Sequence, residues 1–244
     1  MKCPGQDSRF WKKDAIYETK CPKCGQDVEF FKDDTARKCP HCGHRFVNPE
    51  MDFGCAAYCQ YAEQCLGALP EEVKEIRQDL LKDKVGMEMR KYFKNDFKRI
   101  RHAQSVARLA ERIGKQEVCQ DLGVVIMAAY LHDIGIHEAE RKHGSTAARY
   151  QHQEGSPIAR EILEKLGAKK EIIEEVSDIV GHHHQPRQEE SLNFKAVYDA
   201  DLITNLQEEQ SEEPKDKSQL LKIIDRNLLT QSGRDLAKEI FELD

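Results

Sequence analysis

A histidine followed directly by an aspartate, His132-Asp133, ends an apolar stretch of the chain. This stretch, residues 124–131, has the length and composition of a buried helix, so both side chains are expected at a buried helix end. Burying a carboxylate beside an imidazole is costly unless a partner compensates, and a metal ion compensates strongly. Further nitrogen and oxygen ligands lie along the chain at His102, His152, His182-His183-His184 and Asp201. We therefore expect a metal-dependent hydrolase with one or two ions.

Two near-identical cysteine pairs mark the first part of the chain, Cys21-Pro-Lys-Cys24-Gly and Cys39-Pro-His-Cys42-Gly. Each Cys-x-x-Cys turn presents two thiolates to one ion, and the following glycine permits the tight backbone turn. Two such turns complete a tetrahedral shell, and short strands are expected over residues 28–31 and 44–47. The pattern resembles a zinc ribbon of the rubredoxin-like kind. Because four thiolates leave no open position, we expect a structural zinc ion at Cys21, Cys24, Cys39 and Cys42.

Four more cysteines surround this motif: Cys3, Cys55, Cys59 and Cys65. For any one of them, a small buried thiol is as good an interpretation as a metal ligand. Because the ribbon motif is already complete without them, four additional cysteines favour a second all-thiolate site, which would hold zinc or an iron–sulfur cluster. Eight of the nine cysteines precede residue 66, whereas eight of the ten histidines lie between residues 102 and 184. The ligand chemistry thus divides the chain into two functional units.

Composition narrows the class of protein. The 244 residues carry a net charge of -6, and the first 65 hold ten basic and ten acidic residues. This balance lacks the basic surplus of a nucleic-acid surface, although a protein partner for the cysteine-rich segment stays open. No stretch approaches the roughly 18 apolar residues that cross a bilayer, and the N-terminus has no apolar signal region. We expect a cytoplasmic protein with reduced thiols that binds neither membranes nor nucleic acids.

The chain after residue 70 has the pattern of helices, with no strand alternation. Apolar residues at helical spacing within a highly charged segment predict a connecting helix over 71–83. Apolar periodicity predicts further helices over 96–113, 120–131, 172–180 and 192–206. Ser156-Pro157 has the form of a helix start, residues 207–218 that of a solvated loop, and a final helix is expected from about Gln219. The predicted fold is mainly α, with a small β zinc-ribbon-like domain (1–69), a connecting helix (70–94) and a helical body (95–244).

The order His102, His132-Asp133, Asp201 resembles the H…HD…D motif of the HD-domain phosphohydrolase superfamily. The resemblance covers roughly residues 95–206 and extends to the segments around His152 and His182. The six-ligand arrangement is similar to that of small bacterial HD proteins that hydrolyse dinucleoside polyphosphates. It implies an all-helical HD-domain bundle and a two-metal phosphohydrolase acting on a nucleotide or related phosphoester.

By position, the resemblance assigns to one ion the set His102, His132, Asp133 and Asp201. Asp133 would bridge to a second ion held by His152 and His182, with His183 as the alternative to His182. A mixed nitrogen and oxygen shell suits Mn, Fe, Co, Ni or Zn. A metal-activated water near Asp133, the expected catalytic residue, would attack phosphorus. Four cations are positional candidates for holding the phosphate: Lys98, Arg101, Arg141 and Arg187.

Two other functions stay open at this point. An HD-type di-iron oxygenase would use a similar set of ligands for oxygen activation, and it predicts a coloured, iron-containing protein. A non-catalytic nucleotide-sensing or adaptor protein would bind a partner through the zinc ribbon. The complete set of predicted ligand positions favours an enzyme over the adaptor.

Overall fold

The computed structural model describes residues 16–31, 34, 36–50 and 80–243. The chain divides into two compact units, residues 1–78 and 79–244. The predicted fold class is confirmed, because small antiparallel strand pairs precede a helical body. The four cysteines of the predicted second thiolate site, Cys3, Cys55, Cys59 and Cys65, lie outside the described residues. Within the described ranges, no helix combines the length and the apolar character that a membrane crossing requires.

The first unit contains two antiparallel hairpins: β1 (Ile16–Lys20) with β2 (Asp27–Phe31), and β3 (Ala36–Lys38) with β4 (Arg45–Val47). Their small core centres on Phe30, which is fully buried. The Phe30 ring stacks on Tyr17 at 6.1 Å and meets Phe46 edge-on at 5.2 Å between ring centroids. Such a core is too small to be stable alone, so the cysteine site between the hairpins is expected to hold the unit together.

The second unit is built from helices: α1 (Leu81–Phe93), α2 (Phe97–Gln116), α3 (Leu122–Leu131), α4 (Ile136–His143), α5 (Ala148–Lys165), α6 (Lys170–Val180), α7 (Leu192–Glu212), α8 (Lys217–Asn227) and α9 (Gln231–Phe241). Helix α3 lies at the centre, with α1, α2, α6 and α7 packed around it. Its residues Val124 to Ala129 and Leu131 are buried. A helix surrounded in this way needs no polar face, which explains its apolar sequence. His132 follows at its end, so the His132-Asp133 pair lies in the middle of the bundle.

Helix α1 packs within this second unit, although the sequence predicts a connection there. Val85, Met89 and Phe93 recur at intervals of four residues and are buried against the core. They outweigh the charged residues of the segment, several of which are exposed, because a helix that buries one apolar stripe can keep charged side chains in water. The residues before Leu80 that belong to the predicted connecting helix lie outside the described ranges.

Three predictions about helix ends are wrong. Ser156 and Pro157 lie inside α5, which begins two turns earlier, at Ala148. The first turns of α5 bury His152, Glu154 and Gly155, and this tertiary packing outweighs the tendency of proline to start a helix. Helix α7 continues through Glu212 into the predicted loop, and the C-terminal segment forms α8 and α9 in place of one helix.

Candidate metal centre

Helices that are far apart in sequence bring the predicted ligands to one end of α3. His102 lies in α2, Asp201 in α7, and His152 in the second turn of α5. His132 and Asp133 lie where α3 ends in a turn. Adjacent residues of a continuous helix diverge by about 100°, so the helix end allows both side chains to face the same space.

One group of potential ligands consists of His102, His132 and Asp201, all buried. The Nε2 atom of His102 lies 3.2 Å from Nε2 of His132 and 3.2 Å from Oδ1 of Asp201. The same Oδ1 atom lies 3.5 Å from Nε2 of His132. Three ligand atoms therefore converge on one point.

The hydrogen bonds of the two Nδ1 atoms show which nitrogen of each imidazole carries the proton and which is free to bind a metal ion. The Nδ1 atom of His132 lies 2.8 Å from the Ala129 carbonyl oxygen, and Nδ1 of His102 lies 2.9 Å from Oε1 of Glu208. Because an oxygen can only accept, each Nδ1 carries the proton and each Nε2 is left as an acceptor. The converging atoms would then all be acceptors, which is unfavourable unless a cation or an additional proton lies among them. The residues therefore fit a metal ion.

A second group is formed by His152, His183 and His184. The His183 ring donates through Nδ1 to the Val180 carbonyl oxygen at 2.9 Å. Its Nε2 atom and Nδ1 of His184 are buried and have no hydrogen-bond partner in the described part of the chain. Buried polar atoms in native proteins are normally paired, so two unpaired imidazole nitrogens in one group fit a second ion.

Asp133 lies between the two groups. Its Oδ2 atom is 3.7 Å from Nε2 of His132, and its Oδ1 atom is 3.8 Å from Nε2 of His183. A carboxylate can offer one oxygen to each of two ions about 3.5–4 Å apart. Asp133 therefore has one oxygen toward each group, and the bridging role that the sequence resemblance implies stays a prediction.

The expected ligand His182 is not in either group. Its Nδ1 atom lies 2.5 Å from the Asp178 carbonyl oxygen, and its Nε2 atom lies 2.9 Å from Oε1 of Glu190. The ring also stacks on Phe194, with 4.5 Å between centroids. The structure thus brings His183, the alternative that the sequence offered, and not His182 to the second group, because the turn after α6 points the two rings in different directions.

The two groups differ in charge. Burial lowers the pKa of His132, but the charges of Asp133 and Asp201 outweigh this effect and raise it to about 9. Burial and the neighbouring His184 lower the pKa of His152 to about 4, and burial lowers that of His183 well below its ordinary value. Without an ion, the first group holds a proton and the second presents neutral imidazoles. Neutral imidazole is the form that binds metal, so an ion must displace the proton only in the first group.

A cavity of about 300 Å³ opens onto the ligands. It is lined by Lys98, Arg99, His102, Asp133, Ile136, Thr146, Gln151, His184, Asp201, Asn205 and Glu208. An adjacent cavity of about 390 Å³ shares Lys98, His102 and Glu208 and adds Arg101. The larger cavity of about 690 Å³, between α1, α4 and α5, is lined by none of the candidate ligands.

The positively charged residues at the site differ partly from the predicted set. Of the four positional candidates, Lys98 lines both cavities and Arg101 lines the adjacent one. Arg141 instead pairs with Glu138, and Arg187 with Asp178, so neither lines the site. The sequence reasoning missed Arg99, whose Nη1 atom lies 3.5 Å from Oδ2 of Asp133. Its position three residues before His102, on the same helix face, is a signal that could have identified it.

The four cysteines of the zinc ribbon also converge. Sγ of Cys21 lies 3.7 Å from Sγ of Cys42, and Sγ of Cys24 lies 3.6 Å from Sγ of Cys39. Gly25 and Gly43, with φ of 71° and 69°, provide the left-handed residue that each knuckle needs. Burial raises the pKa of Cys21, but backbone hydrogen bonds lower it to about 7. The cluster is consistent with a zinc ribbon, since thiolates at these separations suit a tetrahedral ion.

Comparison with known proteins assigns the helical unit to a family. The sequence model of the HD domain matches residues 99–227, more than half of the chain. The chain belongs to the HD domain family. This membership supports a metal-dependent phosphohydrolase at the level of the family, and the match includes each residue of the two ligand groups and Asp133.

Two solved structures are similar to this HD protein. One is a predicted HD superfamily hydrolase from an uncultured Thermotogales bacterium, with 24% identity and a TM-score of 0.48 over 66% of this chain and 84% of that one. The other is YpgQ of Bacillus subtilis, with 22% identity and a TM-score of 0.48 over 68% of this chain and 90% of that one. A search of curated proteins found no match.

Proposed function

We propose that this HD protein hydrolyses a nucleotide or a related phosphoester with two divalent ions bound in the centre. The observation that carries the proposal is the position of Asp133, with one carboxylate oxygen toward each ligand group. When bound, such ions activate water as a nucleophile and offset the charge that develops on the phosphoryl oxygens. Mn, Fe, Co, Ni and Zn all suit the mixed nitrogen and oxygen ligands.

The residues around the ligands would position the phosphate. Arg99 lies beside Asp133, and Lys98 lines the same cavity. The guanidinium of Arg99 can form two parallel hydrogen bonds to phosphate oxygens, while the Lys98 ammonium adds a point charge. Asp133 faces Arg99 as well as the histidines, so it would keep the guanidinium aimed at the substrate.

The lining of the cavity supports a substrate rich in phosphate. Ile136 is the apolar side chain among the residues that line the 300 Å³ cavity. This volume is at the lower end of the range for ligand sites, so it suits a phosphate group better than an entire nucleotide. The adjacent 390 Å³ cavity would hold the nucleoside part, since it shares the lining residues Lys98, His102 and Glu208 with the first cavity. A dinucleoside polyphosphate would extend from it into solvent.

The cysteine-rich unit would serve the enzyme structurally. We propose zinc at Cys21, Cys24, Cys39 and Cys42, where it would stabilise hairpins that have little core of their own. Reduced thiolates would suit a cytoplasmic protein, since disulfides are rare in that compartment. A protein partner on the ribbon surface stays a proposal, and nucleic-acid or membrane binding is not expected.

A metal-loading experiment tests this proposal. Purified protein is loaded with Mn²⁺, Fe²⁺ or Ni²⁺, and phosphate release is measured over mononucleotides, nucleoside triphosphates and dinucleoside polyphosphates. Asp133→Ala is expected to lose bound metal and phosphate release together. Asp225→Ala removes an exposed carboxylate that pairs with Lys238, and it is expected to retain both.

Three outcomes would contradict the proposal. Phosphate release retained by Asp133→Ala would exclude the bridging role. A coloured iron protein that consumes oxygen without releasing phosphate would favour the di-iron oxygenase. Nucleotide binding without turnover at any metal loading would favour the sensing or adaptor protein.

A further inference from the structure

One face of α7 carries three polar residues in register, Asp201, Asn205 and Glu208. Residues four and seven positions apart lie on the same side of a helix, so the three side chains follow one line toward the solvent. All three line the 300 Å³ cavity. The family resemblance concerns Asp201 alone, and the other two belong to no motif of the sequence analysis.

Each of these two residues contacts a candidate ligand. Nδ2 of Asn205 donates to Oδ1 of Asp201 at 3.0 Å, and Oε1 of Glu208 accepts from Nδ1 of His102 at 2.9 Å. The first contact fixes a carboxylate rotamer within one helix. The second joins α7 to α2 across 106 residues of sequence, so local pattern could not have indicated it.

We propose that Glu208 is a positioning residue that fixes the tautomer and the ring orientation of His102 for metal binding. This inference rests on the metal centre of the proposed function. A carboxylate at Nδ1 holds the proton there, so the lone pair of Nε2 is directed at Asp201 and His132. It also makes the imidazole a stronger electron donor, which strengthens its bond to an ion.

The surroundings favour this role over that of an ordinary surface charge. The His102 side chain is only 7% exposed, whereas that of Glu208 is 40% exposed. An exposed glutamate gains little from an ion pair at the surface. This one instead bonds to a buried ring, although Lys98 and Arg101 line the cavities beside it. The buried ring has one nitrogen for Glu208 and the other for the metal centre, so both ring nitrogens are used.

The test measures metal affinity rather than activity. Mn²⁺ is suited to nitrogen and oxygen ligands and not to the thiolates of the ribbon. Its dissociation constant is measured by electron paramagnetic resonance of free Mn²⁺ for the wild type, Glu208→Ala, Glu208→Gln and Glu212→Ala. The last variant is the matched control for metal binding, because Glu212 lies one turn further along α7, is exposed and lines only the adjacent 390 Å³ cavity and not the cavity that opens onto the ligands.

We expect Glu208→Ala to weaken Mn²⁺ binding by about 10- to 100-fold, the range typical of outer partners of a ligating histidine. Glu208→Gln keeps a neutral acceptor oxygen and should recover part of this loss, a gradient that a merely structural role would not produce. Glu212→Ala should bind as the wild type does. The thermal unfolding of the metal-free variants should match that of the wild type, since Glu208 is partly exposed.

The outcomes separate this inference from the proposed function. Wild-type affinity in Glu208→Ala, or equal losses in Glu208→Ala and Glu212→Ala, would overturn the inference and leave the phosphohydrolase proposal standing. A wild-type protein that binds Mn²⁺ but releases no phosphate would overturn the proposed function, while weakened binding in the Glu208 variants would still support the inference. A wild type that binds no Mn²⁺ would overturn both.

Discussion

Replacement of two neighbouring histidines by the same residue gives a sharp test of the metal centre. His183→Gln removes a buried ring whose Nε2 atom faces Asp133 at 3.8 Å and has no hydrogen-bond partner within the described ranges. His182→Gln removes a ring that is held by Glu190 and stacked on Phe194. Both changes are expected to cost some stability, but only the first should change metal binding.

The size of the effect follows from linkage. At a Mn²⁺ concentration of about 100 times the dissociation constant of one site, the ion bound there stabilises the wild type by about 2.7 kcal/mol. For a protein of this size each kcal/mol shifts the melting temperature by about 2–4 °C, so each ion should raise it by about 5–11 °C. Loss of a ligand should weaken binding at its own site by at least about 100-fold, more than the loss of an outer partner, and the contribution of that ion to the shift should then nearly vanish.

Thermal unfolding with and without Mn²⁺, followed by the far-ultraviolet helix signal, measures this directly. We expect His182→Gln to melt at a lower temperature than the wild type in both conditions, while the Mn²⁺-dependent shift is retained. His183→Gln should lose the part of the shift that comes from the second ion. A full shift in His183→Gln together with its loss in His182→Gln would refute the assignment of the ring directions and restore His182 as the ligand.

The remaining predictions concern packing, zinc and pH. A methyl group added at Gly135 would come closer than 3.0 Å to the backbone of Gln151 and Gly155, so Gly135→Ala should lower the free energy of unfolding by about 1–3 kcal/mol in urea. Cys24→Ser should release the zinc of the ribbon, measured by metal analysis, and leave Mn²⁺ binding by the helical unit unchanged. The pKa of His132 is raised to about 9 in the folded protein, so protonation of this ring stabilises the metal-free fold. The stabilisation is complete below about 6.5, the pKa of a histidine in the unfolded chain. That stabilisation should be lost as the pH rises through about 9, measured by urea unfolding of chelator-treated protein at pH 6, 7.5 and 9.

Each of these has a control or an opposing result. Gly86→Ala is the comparison for Gly135→Ala, because the atoms nearest to its added methyl group belong to the side chain of Tyr130, at 3.2 Å and beyond, and not to backbone. Equal stability losses in the two variants would contradict the backbone clash. Loss of Mn²⁺ binding in Cys24→Ser would show that the two units are coupled. A metal-free protein whose stability is constant or increases between pH 6.5 and 9 would contradict the charge distribution around His132.

Several features of this protein follow from sequence alone, because they depend on residues close together in the chain. Residues 124–131 are apolar all round, and this predicts the central helix α3 with His132-Asp133 at its end. The two Cys-x-x-Cys-Gly turns predict the four-cysteine cluster, since spacing and glycine conformation are local properties. The ligand types at His102, Asp133 and Asp201 likewise identify the HD motif before any contact is known.

Other features were decided by packing between distant segments. The start of α5 depends on burying His152 and Gly155 against the rest of the bundle, which no local proline signal could indicate. The turn after α6 decides which of the histidines at 182–184 faces the metal centre. There the Val180 carbonyl oxygen orients the His183 ring, whereas Glu190 holds the His182 ring away from the centre. The contact of Glu208 with His102 exists only because α2 and α7 pack together. Sequence periodicity therefore determined which residues could serve as ligands. Tertiary structure determined their directions, because the hydrogen-bond partners that orient each ring come from other parts of the chain.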